Sequence, residues 1–267
     1  MKRLLFAVVA GLMFTACNQP TQNTNVEPKD TFTVNSITVE DSVQFPAEAI
    51  EEWMNDDMAR YLAVVDVPVT ENEALRVSIN KWIASQLNVN YDGDPQDVAA
   101  MVEYDRKDFL CLETGSPDSY LEHFISLLED NDRFVTYGCE TWEYNGGAHG
   151  NTYVEGATFS KATGERFDYM MFTNPEALRD VVKNGVKEQY FDILLEDTDV
   201  TFEDAVSLEE GALFPLPEVA PWIQNDSIVF FYQDYEIAPH PFGLPSCAIP
   251  AETLKANITE KGKAFFE

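Results

Sequence analysis

The 267-residue sequence holds three histidines, and two of them lie in segments unlike the rest of the chain. Tyr144-Asn145-Gly146-Gly147-Ala148-His149-Gly150-Asn151 sets His149 among glycines, which permit positive φ and close backbone approach. Tyr232-Gln233-Asp234-Tyr235-Glu236-Ile237-Ala238-Pro239-His240-Pro241-Phe242-Gly243 sets His240 between two prolines. An imidazole in such a loop is suited to proton exchange or hydrogen bonding near neutral pH, and equally to bracing a hairpin connection. The usual catalytic signatures are missing. HExxH, CxxC and GxSxG do not occur, so zinc hydrolysis, thiol redox and α/β-hydrolase chemistry lose their markers. The phosphate-cradling spacings GxGxxG and GxxxxGK[ST] are absent, and His123, His149 and His240 give no HxxxH pair. Carboxylate pairs able to cleave a glycosidic bond discriminate little, because 47 Asp and Glu bring some pair together by chance.

Oxygen ligands for calcium occur at Asp92-Gly93-Asp94 and at Asp197-Thr198-Asp199 with Glu203-Asp204. Both miss the EF-hand register of a glycine at the sixth position and an acid at the twelfth, so they read as solvated acidic loops. Cys111, Cys139 and Cys247 have no metal-ligand spacing and read as packed thiols, with one disulfide among three pairings as the other reading. No cofactor and no metal is expected.

The charge narrows the partners. With 17 Lys and Arg against its 47 acids, the chain carries −30, which excludes nucleic acid and anionic headgroups, since phosphate binding is driven by cationic side chains. Hydrophobic content of 45% and aromatic content of 12% mark a folded protein rather than a disordered acidic one. Residues 1–16 have Lys2 and Arg3 before an apolar run from Leu4 to Phe14, then Thr15-Ala16 before Cys17. This is the layout of a secretory signal, too short to span a bilayer. Its end resembles a bacterial lipobox, which implies lipidation of Cys17 and a lipid anchor in the membrane. Removing residues 1–16 leaves 15 cations and 47 acids, a charge of −32. Residues 17–30 are polar, with Pro20 and Pro28, and read as a flexible tether. Asn18-Gln19-Pro20-Thr21 lacks the acidic patch that some lipoproteins use for export to the surface, so the cell envelope's periplasmic face is favoured.

The elements that must position the two loops can be sketched from periodicity. Residues 31–40 and 61–69 read as strands, with a helix between them from Pro46 to Tyr61 carrying Ile50, Trp53, Met54 and Met58. Thr70 with Glu73 makes a capping box opening a helix with Leu75, Ile79, Trp82, Ile83 and Leu87 on one face. Asp94-Pro95 opens a second with Val98, Met101, Val102 and Phe109 inward, and Ser116-Pro117 a third with Tyr120, Leu121, Phe124 and Leu128. Residues 31–130 are thus expected to be helix-rich. From Arg133 the texture turns to strands at 133–144 and 151–160, with a turn at 161–165 leading into RFDYMMF. A long helix follows from Pro175 to about Leu195, then a strand at 227–238, a short strand Ser246–Pro250 and a short helix at 251–258. Without strict βαβ alternation, the expected class is α+β, a mainly antiparallel sheet packed against several helices.

The two histidine segments together resemble a family of secreted domains of unknown function, found in the extracellular part of the lysozyme-sensing anti-sigma factor RsiV and the non-catalytic N-terminal region of the peptidoglycan deacetylase PdaC. The matching residues are Gly146 to Asn151, the helix from Pro175, Tyr235 to Gly243, and Ala248 to Pro250. Residues 131–267 carry the likeness well and 31–130 loosely, the two parts being expected to pack as one body. The resemblance implies an α+β fold, an envelope role and, from RsiV, lysozyme binding. Unlike RsiV the chain shows no transmembrane helix or sigma-binding segment, and unlike PdaC no appended deacetylase domain.

The sequence therefore favours a binding module over an enzyme. Its expected partners are a basic protein of the lysozyme-like muramidase type or peptidoglycan, contacted through Asn145, Gly146, Gly147, His149, Tyr235, Pro239, His240 and Phe242. The competing readings are a cell-wall glycan hydrolase using carboxylates near His149, and a structural lipoprotein whose loops brace the fold.

Overall fold

The computed structural model describes residues 31–267 apart from 53, 88–90, 92, 209 and 210. The signal segment 1–16, Cys17, the tether 17–30, Trp53 and Asp92 therefore lie outside the described residues. The class is α+β: a five-stranded, mostly antiparallel sheet, a three-stranded sheet, and helices packed on both.

The first sheet has the order β1(Thr33–Gln44), β2(Met58–Val69), β3(Ser119–Asp130), β4(Phe134–Tyr144), β5(Asn151–Ser160). Only β2 and β3 run parallel. A parallel pair cannot be joined by a tight turn, so the chain must cross a face of the sheet between them. That crossover carries α1(Glu73–Gln86) and α2(Val98–Phe109), whose Leu75, Ile79, Trp82, Ile83, Met101 and Val102 bury against Tyr61, Val65, Ile125, Tyr137 and Phe159 of the sheet. The inward faces of both helices are those their periodicity predicts, although the caps fall two and three residues beyond the expected ones. Asn72, not Thr70, accepts the Leu75 N–H at 3.2 Å, and Asp97, not Asp94, accepts the Ala100 N–H at 3.0 Å.

Residues 31–130 are not helix-rich: three twelve-residue strands outweigh the two helices. The helix expected after Ser116-Pro117 is β3. Its inward positions include Ser119 and His123, both polar, so the alternation of a strand is invisible as hydrophobicity, while Tyr120, Phe124 and Leu128 imitate a helical stripe. The helix expected over 46–61 is reduced to one 3-10 turn, Ala47–Ala49. There the Phe45 N–H bonds the Asp57 carbonyl at 2.8 Å, closing a loop between antiparallel β1 and β2 and starting β2 at Met58.

The second sheet, β6(Trp222–Gln224), β7(Ser227–Phe231), β8(Ser246–Pro250), packs across the opposite face of the first. The contact is built on hydroxyls. Thr158 Oγ1 accepts the Ile223 N–H at 2.8 Å, and Thr136 Oγ1 donates to the Ile223 carbonyl at 2.7 Å, so the backbone of β6 is satisfied by side chains of β4 and β5. Gly156 lets the Trp222 ring lie directly on β5; a Cβ there would sit 2.2 Å from the ring. α3(Arg179–Val186), preceded by a 3-10 turn Pro175–Leu178 and continued by a π-helical stretch Lys187–Phe191, buries Val182 and Val186 against β8. The segment after Lys161–Glu165 is not a strand; Arg166 makes one bridge to Phe159 and a 3-10 turn, Tyr169–Met171, follows under an Asp168 cap. The strand expected over 227–238 stops at Phe231, where the chain enters the second histidine loop.

Candidate functional site

The two segments singled out by composition meet. The first is the hairpin tip between β4 and β5, where Gly146 and Gly147 hold φ of 86° and 108°, values open to glycine at no steric cost. Tyr144 O–H donates to the Gly147 carbonyl at 3.1 Å and fixes the tip. His149 Nδ1 lies 2.9 Å from the Gly150 carbonyl, an acceptor only, so Nδ1 carries the proton and, in the neutral ring, Nε2 is left as an acceptor. The Tyr235 hydroxyl donates to that Nε2 at 3.2 Å.

The second segment is seated by three side chains. Gln233 brackets Val154 of β5, accepting its N–H at 3.1 Å and donating to its carbonyl at 2.6 Å, as an added strand would. Glu236, whose burial raises its carboxyl above the usual range, accepts the Gln233 and Glu218 N–H groups. Tyr190, on the π-helical stretch, donates to the Phe242 carbonyl at 2.8 Å under the 3-10 turn His240–Phe242. On this frame His240 Nδ1 pairs closely with Asp234 Oδ2, and the His240 ring stacks on His149 with centroids 3.8 Å apart and planes 14° from parallel. Tyr235, at φ 63°, lies 5.9 Å from His240 at 24° and is 60% exposed. Asp234–His240–His149–Tyr235 thus form one continuous polar and aromatic array that opens to solvent at Tyr235 and His149.

Of the residues expected at the site, His149, Tyr235 and His240 are brought together, and Asn145, Gly147 and Pro239 flank them at the surface. Gly146 is half-buried in the tip, and Asn145 Nδ2 bonds Glu143. Phe242 is half-buried against a second hydrophobic core, the one between α3 and the three-stranded sheet, with its ring centroid 6.4 Å from that of Phe191. Asp234 gave no signal of its own in a chain so rich in acids. Stacked imidazoles do not converge on a common point, and among the described residues no three His, Cys, Asp or Glu side chains are placed to hold a metal ion.

A cleft of about 490 Å³ adjoins the array on the helix-covered side of the first sheet. It lies between the sheet and the C-terminal turns of α1 and α2, and Glu143 and Gln233 belong both to its lining and to the neighbourhood of the histidine loops. Buried at its base is His123, 2% exposed, with Nδ1 2.9 Å from Thr141 Oγ1. His123 Nε2 lies 3.2 Å from Asp105 Oδ2, at an angle too poor for a hydrogen bond. Asp105 instead accepts from the Tyr61 hydroxyl at 2.8 Å, and burial beside that carboxylate pushes the Tyr61 phenol well above its ordinary value.

The fold is that of solved DUF3298 proteins. One, from Bacteroides fragilis NCTC 9343, matches with a TM-score of 0.67 at 17% identity, over 89% of this chain and 98% of its own. Another, from Pseudomonas aeruginosa PAO1, matches with a TM-score of 0.56 at 15% identity, over 86% of this chain and 96% of its own. Such identities carry architecture alone, that of a domain of unknown function. No protein-family model and no curated protein matches the chain.

The cleft was not legible in the sequence. His123 stands in a segment that reads as a helix, and Asp105 is one acid among 47. Cys139, expected as a packed thiol, lies at the cleft base with burial pushing it up to about 12; Cys247 is buried in the other core, and Cys111 is only half-buried.

Proposed function

We propose that this chain is a lipoprotein of the bacterial cell envelope, anchored through Cys17 and favouring the periplasmic face, whose histidine loops form a non-enzymatic binding platform for a basic, lysozyme-like muramidase. The observation that carries the reading is the meeting of His149, His240 and Tyr235 on one exposed surface, rigidly framed by Gln233 and Tyr190. Rigid aromatic side chains offer contact area at little entropic cost, the usual chemistry of a protein-binding surface. The charge of −30 favours encounter with a cationic partner, and the motif likeness to RsiV points to lysozyme.

Calorimetry with hen lysozyme and the full chain in detergent, at low and at physiological ionic strength, tests it. Binding that weakens with salt and falls in His149→Ala or Tyr235→Ala is expected; no heat at either salt rejects the muramidase. Purified peptidoglycan in a parallel titration tests the glycan partner, and release of soluble fragments from it would favour the hydrolase reading. Incorporation of labelled fatty acid that is lost in Cys17→Ala tests the anchor.

A further inference from the structure

We propose that the open face of the first sheet, the one turned away from α1 and α2, is a docking surface for the body of a basic protein, with Trp142 as its anchor. The inference rests on the platform reading for the identity of that protein, a lysozyme-like muramidase, and deepens it by assigning the main contact area.

Side chains alternate between the two faces of a strand. On the face under the helices, Tyr61, Ala63 and Val65 of β2 and His123 and Ile125 of β3 are all buried. Their neighbours on the other face are not. Leu62 and Val64 of β2, Tyr120 and Phe124 of β3 and Tyr144 of β4 are half-buried, and Trp142 is 44% exposed. The second sheet meets this face at its far end, over Thr136, Gly156 and Thr158.

The strand register joins the six side chains into one patch. Tyr120 stands opposite Tyr144, Phe124 beside Val64, and Glu122 between Leu62 and Trp142. The Tyr120 and Tyr144 rings stack with centroids 5.5 Å apart, and Trp142 Nε1 donates to Glu140 Oε1 at 2.7 Å, which holds the exposed indole in place. Exposed Thr38 and Glu40 on β1 and Glu140 on β4 form a polar margin. An apolar centre with tyrosine and tryptophan inside a polar rim is the composition of a protein interface, and contiguous patches of this kind mark binding sites.

Charge selects the occupant. Glu122 is half-buried in the middle of the apolar centre, and no hydrogen bond or ion pair holds its carboxylate among the described residues. A surface that covers the patch takes Glu122 out of water, so it must bring a cation to that carboxylate. Glu40 and Glu140 add charge of the same sign at the margin, while Arg60, on the same face, is engaged by Asp56 at 2.5 Å. A second copy of this chain brings the same excess of 47 acids over 17 cations and is repelled. A neutral glycan offers hydroxyls without a counter-charge. A basic protein supplies both the apolar area and the cation.

The patch runs into the histidine loops. Tyr144 O–H donates to the Gly147 carbonyl, and the Tyr120 hydroxyl lies against Gly150, 2.8 Å from where a Cβ would stand. One partner surface therefore reaches the tyrosine pair and His149 together.

Calorimetry with hen lysozyme compares the full chain in detergent with Trp142→Ala, Glu122→Gln and His149→Ala, each checked for fold by circular dichroism. Trp142 is exposed and Glu122→Gln keeps the side chain's shape, so both variants are expected to fold. Trp142→Ala is expected to weaken binding about thirtyfold, the size of an interface anchor. Glu122→Gln is expected to weaken it about tenfold and to flatten its dependence on salt. Binding that both variants leave unchanged while His149→Ala weakens it overturns the docking face and leaves the platform standing. Binding lost in Trp142→Ala and unchanged in His149→Ala keeps the face and rejects the histidine loops as contacts. No binding of lysozyme overturns both. Sedimentation showing a dimer of the wild type that Trp142→Ala dissociates, or binding of N-acetylglucosamine tetramer that Trp142→Ala abolishes, gives the face to a second copy or to a glycan and overturns the basic protein as its occupant.

Discussion

His149 and His240 lie face to face, their ring centroids 3.8 Å apart, although β5, α3 and most of the second sheet intervene between them in the chain. Nothing local brings them together. The pairing is imposed by Gln233, which docks the second loop on the edge of β5, and by Tyr190, which props it from beneath.

Tyr190→Phe removes the hydroxyl that holds the Phe242 carbonyl at 2.8 Å. A loss of about 1 kcal/mol is expected, the usual net worth of one hydrogen bond, measured by urea unfolding. His149 is exposed, so His149→Ala is expected to change stability by under about 0.5 kcal/mol while lowering partner affinity. The contrast between the two variants separates framing from contact.

Gly156→Ala places a Cβ 2.2 Å from the Trp222 ring, against a wall that also carries the Thr158–Ile223 bonds. The two sheets must separate locally, at a cost of about 1–3 kcal/mol by denaturant titration. A wild-type stability would show that the second sheet can slide over β5.

The cysteines divide by environment. Burial pushes the Cys139 and Cys247 thiols up to about 12, whereas hydrogen bonding from Thr114 lowers the half-buried Cys111 below its ordinary value. Reaction follows the thiolate, so brief iodoacetamide treatment of the folded protein should label Cys111 ahead of the other two, and all three in guanidinium, as read by peptide mass spectrometry.

Hydrogen bonds from Arg106 and then Lys107 hold Glu103 at about 2, below its ordinary carboxylate value. A carboxylate depressed in the folded state contributes stability above its unfolded pKa and loses it as pH falls through the folded one. Glu103→Gln is therefore expected to lower the Tm near neutrality, with the difference from wild type fading between about pH 5 and pH 2. Salt should shrink it as well, because Glu103 and Lys107 are solvent-exposed to a large degree.

How far the sequence carried the fold depends on whether burial and polarity coincide. α1 and α2 were legible because Leu75, Ile79, Trp82 and Ile83, then Val98, Met101 and Val102, are both apolar and inward. β3 was not, because its inward face includes His123, which lines the cleft, and Ser119, whose hydroxyl donates to the Ser116 carbonyl. β6 is three residues long and leans on Thr136 and Thr158 hydroxyls, a partnership invisible in hydropathy. Both histidine loops were recognisable from glycine and proline content, yet their stacking depends on contacts distant in sequence. Asp234 and Asp105 were hidden by abundance: among 47 acids, only position in space distinguishes them.

Gln233 and Gln189 play matching parts on different sheets. Gln233 occupies both polar groups of Val154 on the outer side of β5, and Gln189 does the same for Ala248 on β8. Each amide is a one-residue imitation of a neighbouring strand, so an extended chain arriving at either edge finds the central donor and acceptor taken. The long outer edge of the first sheet, β1, carries Glu40 and Asp41, charged side chains of the kind that discourage pairing at an open edge. Crowded copies of this protein are thereby guarded against the strand-to-strand aggregation that open sheets invite, and replacing Gln233 would expose the edge at the same point where it releases the histidine loop.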